Sequence, residues 1–151
     1  MRALIQRVAW AEVEVDGAVI GRIDHGLLVY VAAAPGDTDR QLQWLSDKVV
    51  NLRIFEDGQG KMNRCVRDVR GGVLVVTNFT LMADAQKGRR PSFIGAARPA
   101  EAEPLTERFV KAIATSGVPV ASGRFGAMMA VRSQADGPVN VIVDAPAVPE
   151  S

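Results

Sequence analysis

Glu12-Val13-Glu14-Val15-Asp16-Gly17-Ala18-Val19-Ile20-Gly21 decides how the fold begins. Glu and Val alternate with period two, which puts polar side chains on one face of a strand and apolar ones on the other. Asp16-Gly17 follows at once and is the strongest short signal for a tight hairpin turn. Ala18 to Ile23 returns as the second arm. Upstream, Ala3 to Val8 is a short apolar stretch broken by Gln6 and Arg7. Downstream, Leu27 to Ala34 is a continuous apolar run, the pattern of a central strand. The chain therefore opens as a β-meander.

Pro35-Gly36-Asp37 ends the meander. Thr38 and Gln41 stand at capping-box spacing, and Leu42, Leu45, Val49 and Leu52 follow at helical spacing, so a helix is predicted over Thr38 to Leu52. Asp57-Gly58-Gln59-Gly60 is a turn. Gly72 to Leu81 opens with Val73-Leu74-Val75-Val76, a buried strand. Met82 to Arg98 has no periodicity and reads as a long loop. Leu105, Phe109 and Ile113 mark a second helix, ended by Gly117 and Pro119. Three short strands are predicted near Val118–Ala121, Met128–Arg132 and Val139–Val143. Strands at both ends with helices between them give an α+β class. The expected architecture is one domain over 1–144, with a mostly antiparallel or mixed, barrel-like β-sheet and two main helices. Residues 145–151 are expected to be a frayed tail.

The chain is 151 residues long, 48% hydrophobic and 23% charged, ordinary values for one globular domain. Its formal net charge is +1, so a nucleic-acid partner needs local clustering to be argued. Cys65 is the single cysteine, which excludes an internal disulfide framework and a Cys-rich zinc site. His25 is the single histidine, so no site with two histidine ligands can be built. Arg7 interrupts the apolar start before a signal-peptide core forms, and no stretch approaches a membrane span. These features predict a cytoplasmic protein without a membrane partner, metal or cofactor.

Familiar catalytic patterns are missing. There is no Gly-x-Ser-x-Gly elbow, Walker loop or dinucleotide fingerprint. His25 reads as a turn residue and Cys65 as a small buried hydrophobe. No pair of carboxylates stands out as acid and base; Glu101 and Glu103 suit the start of the second helix. Two segments are unusual. In Thr77-Asn78-Phe79-Thr80-Leu81 a buried strand ends in polar side chains and backbone N–H groups, and strand ends are common places for sites. In Asp136-Gly137-Pro138-Val139-Asn140 a Gly-Pro turn signal precedes a β-branched run. Each also fits an ordinary strand end or turn.

Together these segments resemble the D-aminoacyl-tRNA deacylase family. Thr77-Asn78-Phe79-Thr80-Leu81 stands where the family has Ser-Gln-Phe-Thr-Leu, and Ala135-Asp136-Gly137-Pro138-Val139-Asn140 where it has Asn-x-Gly-Pro-Val-Thr. The opening Met1 to Val8, Asn51 to Phe55, Lys87-Gly88-Arg89-Arg90-Pro91-Ser92-Phe93 and Gly123 to Ala127 fit as well, so the likeness runs to about Asp144. It implies hydrolysis of the ester that joins a D-amino acid, or glycine, to tRNA, with L-aminoacyl-tRNA spared. It also implies a homodimer with active sites at the subunit interface, and a cis Gly137-Pro138 peptide that enters the partner's pocket.

By that resemblance the carbonyls of Gly137 and Pro138 bind the substrate ammonium, and Pro138 blocks an L side chain. Arg7 locks that peptide; read alone, it is a surface strand cation. The N–H groups of Phe79 and Thr80 are oxyanion donors beside Thr77 and Asn78, and the 2′-hydroxyl of the terminal adenosine assists. Thr80 as nucleophile is the alternative, although a hydroxyl without a base is weak. Lys87, Arg89 and Arg90, joined by Arg64, Arg67 and Arg70, are candidates for acceptor-stem phosphates. Thr77, Asn78, Ala135 and Asn140 depart from the family pattern. Two rival readings remain: a noncatalytic nucleic-acid-binding or interaction module of the same fold, and an editor of small L-aminoacyl-tRNAs.

Overall fold

The computed structural model describes residues 1–147. Strand β1 (Arg2–Val15) turns at Asp16-Gly17 into β2 (Ala18–Ile23), and β3 (Gly26–Ala32) follows. Both turn residues have positive φ, +50° and +79°, as the Asp-Gly signal requires. Helix α1 (Asp39–Asn51) starts at the predicted Thr38, where both arms of the capping box with Gln41 are made. The Asp57–Gly60 turn joins a small hairpin, β4 (Phe55–Glu56) and β5 (Met62–Arg64). Strand β6 (Gly72–Thr77) runs into a 3-10 turn (Phe79–Met82), then a long loop leads to helix α2 (Pro99–Thr115). Strands β7 (Val120–Ser122) and β8 (Ala130–Asp144) close the chain.

The main sheet is mixed and runs β2-β1-β3-β6-β7, with β8 on the other side of β1. β1 pairs antiparallel with β2, β3 and β8, while β3–β6 and β6–β7 are parallel. The sheet curls until Gly21 of β2 lies against the Ser122 carbonyl of β7, so it nearly closes into a barrel. The unbroken apolar runs of β3 and β6 are explained by burial on both faces. Leu27, Val29, Val31, Val73 and Val75 face α1 and α2 in the larger core. Leu28, Leu74 and Val76 face inward with Val8, Val13 and Ile23.

Three expectations change. The strand expected over Gly72 to Leu81 ends at Thr77, because Asn78 caps a 3-10 turn over Phe79–Met82. β1 is one strand through Gln6 and Arg7, because β3 pairs with both in unbroken register, Gln6 with Leu28 and Arg7 with Leu27. The two strands expected near Met128–Arg132 and Val139–Val143 are one strand, β8. Ala135 pairs with Val8 and Asn140 with Gln6, so Asp136 to Val139 face Arg7 alone and bulge out of the ladder. The turn signal was a local bulge, not a strand end. Of the tail, Ala145 donates its N–H to the Met1 carbonyl at 2.9 Å and Pro146 accepts from Gln41 Nε2 at 3.2 Å. The rest of the segment expected to fray, 148–151, lies outside the described residues.

Candidate functional site

A cavity of about 790 Å³ opens where β3 and β6 end. Val31 pairs with Thr77 at that end, and the 3-10 turn, the Phe93 loop, the start of α2 and residues Phe125 to Met129 complete the walls. Thr77, Asn78, Phe79 and Thr80 all line it, so the structure brings these four predicted residues together. Phe79 is 59% exposed and meets Phe93 edge to face, with ring centroids 5.2 Å apart. Met128, 92% exposed, stands on the opposite lip.

Asn78 caps the 3-10 turn. Its Oδ1 accepts the Thr80 N–H at 3.1 Å and also a short hydrogen bond from the Thr80 hydroxyl. A short Asn side chain is well suited to this local loop, which is why Asn is a preferred cap. The consequence is that the Thr80 N–H is already engaged. The Phe79 N–H donates to no protein acceptor among the described residues. Among the described residues the cavity lining includes no Asp, Glu, His, Lys or Arg. Tyr30 is its one ordinary titratable group, and burial pushes that phenol above its usual value.

The Gly137-Pro138 segment lies elsewhere. Its peptide bond is cis, and Gly137 has φ +129°. Arg7, only 7% exposed, stands behind it. Its Nε donates to the Asp136 carbonyl at 3.0 Å and its Nη1 to the Ile54 carbonyl at 2.8 Å. The surface-cation reading of Arg7 thus gives way to a buried brace. His25 Nε2 lies 3.6 Å from the Asp136 carboxylate, and its ring packs edge-on against Phe55. Nothing in the residues around His25 announces this contact, which spans more than a hundred positions.

Arg7 pairs with Leu27, at the start of β3, whereas Thr77 pairs with Val31 near its end. Four residues of strand separate them, about 13 Å. Gly137 and Pro138 are exposed and do not line the cavity. Within one chain the two motifs therefore do not meet. Lys87, Arg89 and Arg90 are exposed on a loop pinned by the Asp84–Ser92 bridge, beside Phe93 at the cavity mouth.

Residues 4–144 match the D-Tyr-tRNA(Tyr) deacylase family. The chain belongs to this family. It is 57% identical over 141 residues to a D-aminoacyl-tRNA deacylase of Dinoroseobacter shibae, covering 93% of this chain and 97% of that protein. It is 51% identical over 144 residues to the Brevibacillus brevis D-aminoacyl-tRNA deacylase, covering 95% and 99%. Among solved structures, one titled c-Myc DNA Unwinding Element Binding Protein superposes with TM-score 0.92 at 36% identity, covering 97% of this chain and 100% of that one. A probable eukaryotic D-amino acid tRNA deacylase shares the fold, with TM-score 0.80 at 18% identity and coverage of 94% and 97%. In this deacylase-family chain, the two motif segments lie at the cavity end of β6 and in the β8 bulge. No helix among the described residues is long and apolar enough to cross a membrane.

Proposed function

We propose that this chain hydrolyses the ester of D-aminoacyl-tRNA, and of Gly-tRNA, and spares L-aminoacyl-tRNA. The observation that carries this reading is the makeup of the cavity. It offers a free backbone N–H at Phe79 but no carboxylate, histidine or ammonium to move a proton. A site of that kind can hold a carbonyl oxygen as negative charge develops on it, and one such donor contributes about 10²–10³ in rate. The Phe79 N–H is the first donor. The Thr80 N–H joins it when Asn78 releases its cap. Proton chemistry then falls to the substrate, whose 2′-hydroxyl lies next to the ester. Thr80 as nucleophile is disfavoured, since its hydroxyl faces an amide oxygen that is no base.

Chirality is read by the β8 bulge of a second copy. The bulge is exposed and sits at the far end of its own sheet, so the cavity it closes is that of another chain. A homodimer also explains the exposed side of the sheet. β8 is a long strand paired only with β1 among the described residues, and such an edge is normally covered. Leu4 pairs with Tyr30 and with Ile142, which places all three on one face, and Ile142 is 68% exposed. In the assembled site the Gly137 and Pro138 carbonyls receive the substrate ammonium. With ammonium and ester fixed, a D side chain points outward and an L side chain meets Pro138. Glycine has no side chain to refuse. Lys87, Arg89 and Arg90 meet acceptor-stem phosphates at the mouth.

The test is ester loss from D-Tyr-, Gly-, L-Ala- and L-Tyr-tRNA. Release from D-Tyr-tRNA and Gly-tRNA alone supports the reading, and L-Ala release points to an editor of small L-amino acids. A second reading, nucleic-acid binding without hydrolysis, is favoured by the likeness to the DNA-unwinding-element protein; it predicts no ester loss from any of the four.

A further inference from the structure

We propose that the RNA-binding surface of each active site is shared between subunits: Lys87, Arg89 and Arg90 of the chain that supplies the cavity, and Arg53, Arg67 and Arg70 of the chain that supplies the Gly137-Pro138 bulge. This rests on the cross-subunit reading above. The second group of arginines is carried by the segment that leads into and out of the β4–β5 hairpin. All three are exposed, and none makes a side-chain hydrogen bond or ion pair among the described residues. Arg64 beside them gives only one contact, to the Asp68 carbonyl at 2.6 Å. Arg67 and Arg70 lie in one tight turn, closed by the Val69 N–H on the Cys65 carbonyl and the Arg70 N–H on the Arg67 carbonyl, with Arg70 at φ +53°. Free cations held on one short segment are the form a phosphate-binding surface takes, tolerant of sequence and sensitive to salt.

The segment is tied to the bulge. Arg53 precedes Ile54, whose carbonyl binds Arg7, and Arg7 in turn binds the Asp136 carbonyl. Further along, the His25 carbonyl accepts the Gly72 N–H just after Arg70, while the His25 ring faces Asp136. So these arginines stand at the bulge end of the sheet, and the Lys87 loop stands at the cavity end. In one chain the two basic groups are separated by the length of β3. When a bulge enters a partner's cavity they come together around a single acceptor end.

The experiment uses the full chain with two different C-terminal tags, so that heterodimers are isolated after co-expression. One chain carries R53Q, R67Q and R70Q; the other carries K87Q, R89Q and R90Q. Each parent homodimer is expected to lose roughly tenfold in kcat/KM for D-Tyr-tRNA near physiological salt, with a shallower salt dependence. The heterodimer then has one site with every cation in place and one with none, so it should run at about half the wild-type rate. If the two groups serve one site from the same chain, both heterodimer sites are impaired and its rate stays at the parents' level, which overturns the proposal. A control heterodimer pairs G137A, which strains the bulge, with A127W, which fills the cavity. Recovery in the control but not with the arginine variants rejects the shared RNA surface alone. Failure of both rejects the cross-subunit site, and this inference with it.

Discussion

Arg7 is the only β1 residue opposite the four-residue bulge of β8, and its guanidinium Nε binds the carbonyl of Asp136 at 3.0 Å while lying 3.3 Å from the same residue's carboxylate. A single buried cation thus sets where the bulge leaves the sheet. R7A leaves the Asp136 and Ile54 carbonyls without their donor, at a cost of roughly 1–3 kcal/mol each. The expected result is a Tm lower by roughly 5–15 °C in a thermal scan. R7K keeps the charge but lacks the planar fork that reaches both carbonyls. It should fold with a smaller Tm loss, yet lower the ratio of D-Tyr to L-Tyr release. An unchanged ratio in R7K would detach Arg7 from selectivity.

Thr80 separates the two chemical routes. With the RNA 2′-hydroxyl supplying proton chemistry, T80V keeps its backbone N–H and loses only the hydroxyl that Asn78 accepts. Its kcat should stay within about tenfold of wild type, the cost of one neutral hydrogen bond that holds a turn. Were Thr80 the nucleophile, the loss would exceed about 10⁴-fold and an acyl-enzyme would appear in mass spectra. Single-turnover hydrolysis of D-Tyr-tRNA, with intact-mass analysis of the quenched enzyme, distinguishes the two.

The pH profile tests the same point from the other side. Burial raises the Tyr30 phenol above its usual value, so it stays protonated across the working range. No other side chain lining the cavity titrates there. The cavity side chains should therefore add no limb between about pH 6 and 9, and the one limb expected there is loss of the substrate's own α-ammonium, near about 7.7–8.0. A bell with a limb near neutrality that vanishes in H25N would instead assign the acid or base to His25.

Local chemistry made some of this fold legible and hid the rest. Asp16-Gly17 and the Thr38–Gln41 box act within a few residues, so their effects can be read directly. Thr77 to Thr80 could be placed at a strand end because the preceding Val run is long and apolar. The β8 bulge could not be read this way, since Gly137-Pro138 carries the same signal whether a strand ends or bulges. What decides it is pairing with β1, more than a hundred residues earlier. His25, and Arg7 when read without the family resemblance, were opaque for the same reason: their partner, Asp136, is distant in sequence. The Asn78 cap on Thr80 is local and could have been found. An Asn two residues before a threonine at the start of a short turn is an ordinary capping arrangement.

Gly26 is where the sheet tolerates least. A Cβ there would lie 1.9 Å from the Gly72 carbonyl oxygen, a backbone atom that no rotamer change can move aside. The contact joins the starts of β3 and β6, between the two cores. G26A should therefore destabilise by more than about 4 kcal/mol, visible as a collapsed yield of soluble protein or a Tm lower by well over 10 °C. G58A is the matched control, because a Cβ on Gly58 meets nothing within 4 Å. It should change the Tm by no more than about 2 °C.

Acid should unfold the molecule through a few carboxylates. Hydrogen bonds from the Asn63 side chain and then from the Lys61 and Gln59 N–H groups hold Asp57 below the usual carboxylate value. The Cys65 N–H does the same for Asp68, and the Arg2 guanidinium for Asp144, where it clasps β1 to β8 at 2.7 Å. Each group is depressed in the folded state relative to about 3.9 when unfolded. The unfolded chain therefore takes up protons first as pH falls. Their stabilisation is complete above about pH 5 and is lost below about pH 4, as pH drops through the folded values. The expected curve of Tm against pH is flat near neutrality and falls on the acid side. D57N, D68N and D144N together should lower the plateau and flatten the acid limb, because the asparagines keep the shape but have no proton to take up. Circular dichroism melts from pH 2 to 7 check this; an acid limb equally steep in the triple variant would move its cause to other carboxylates.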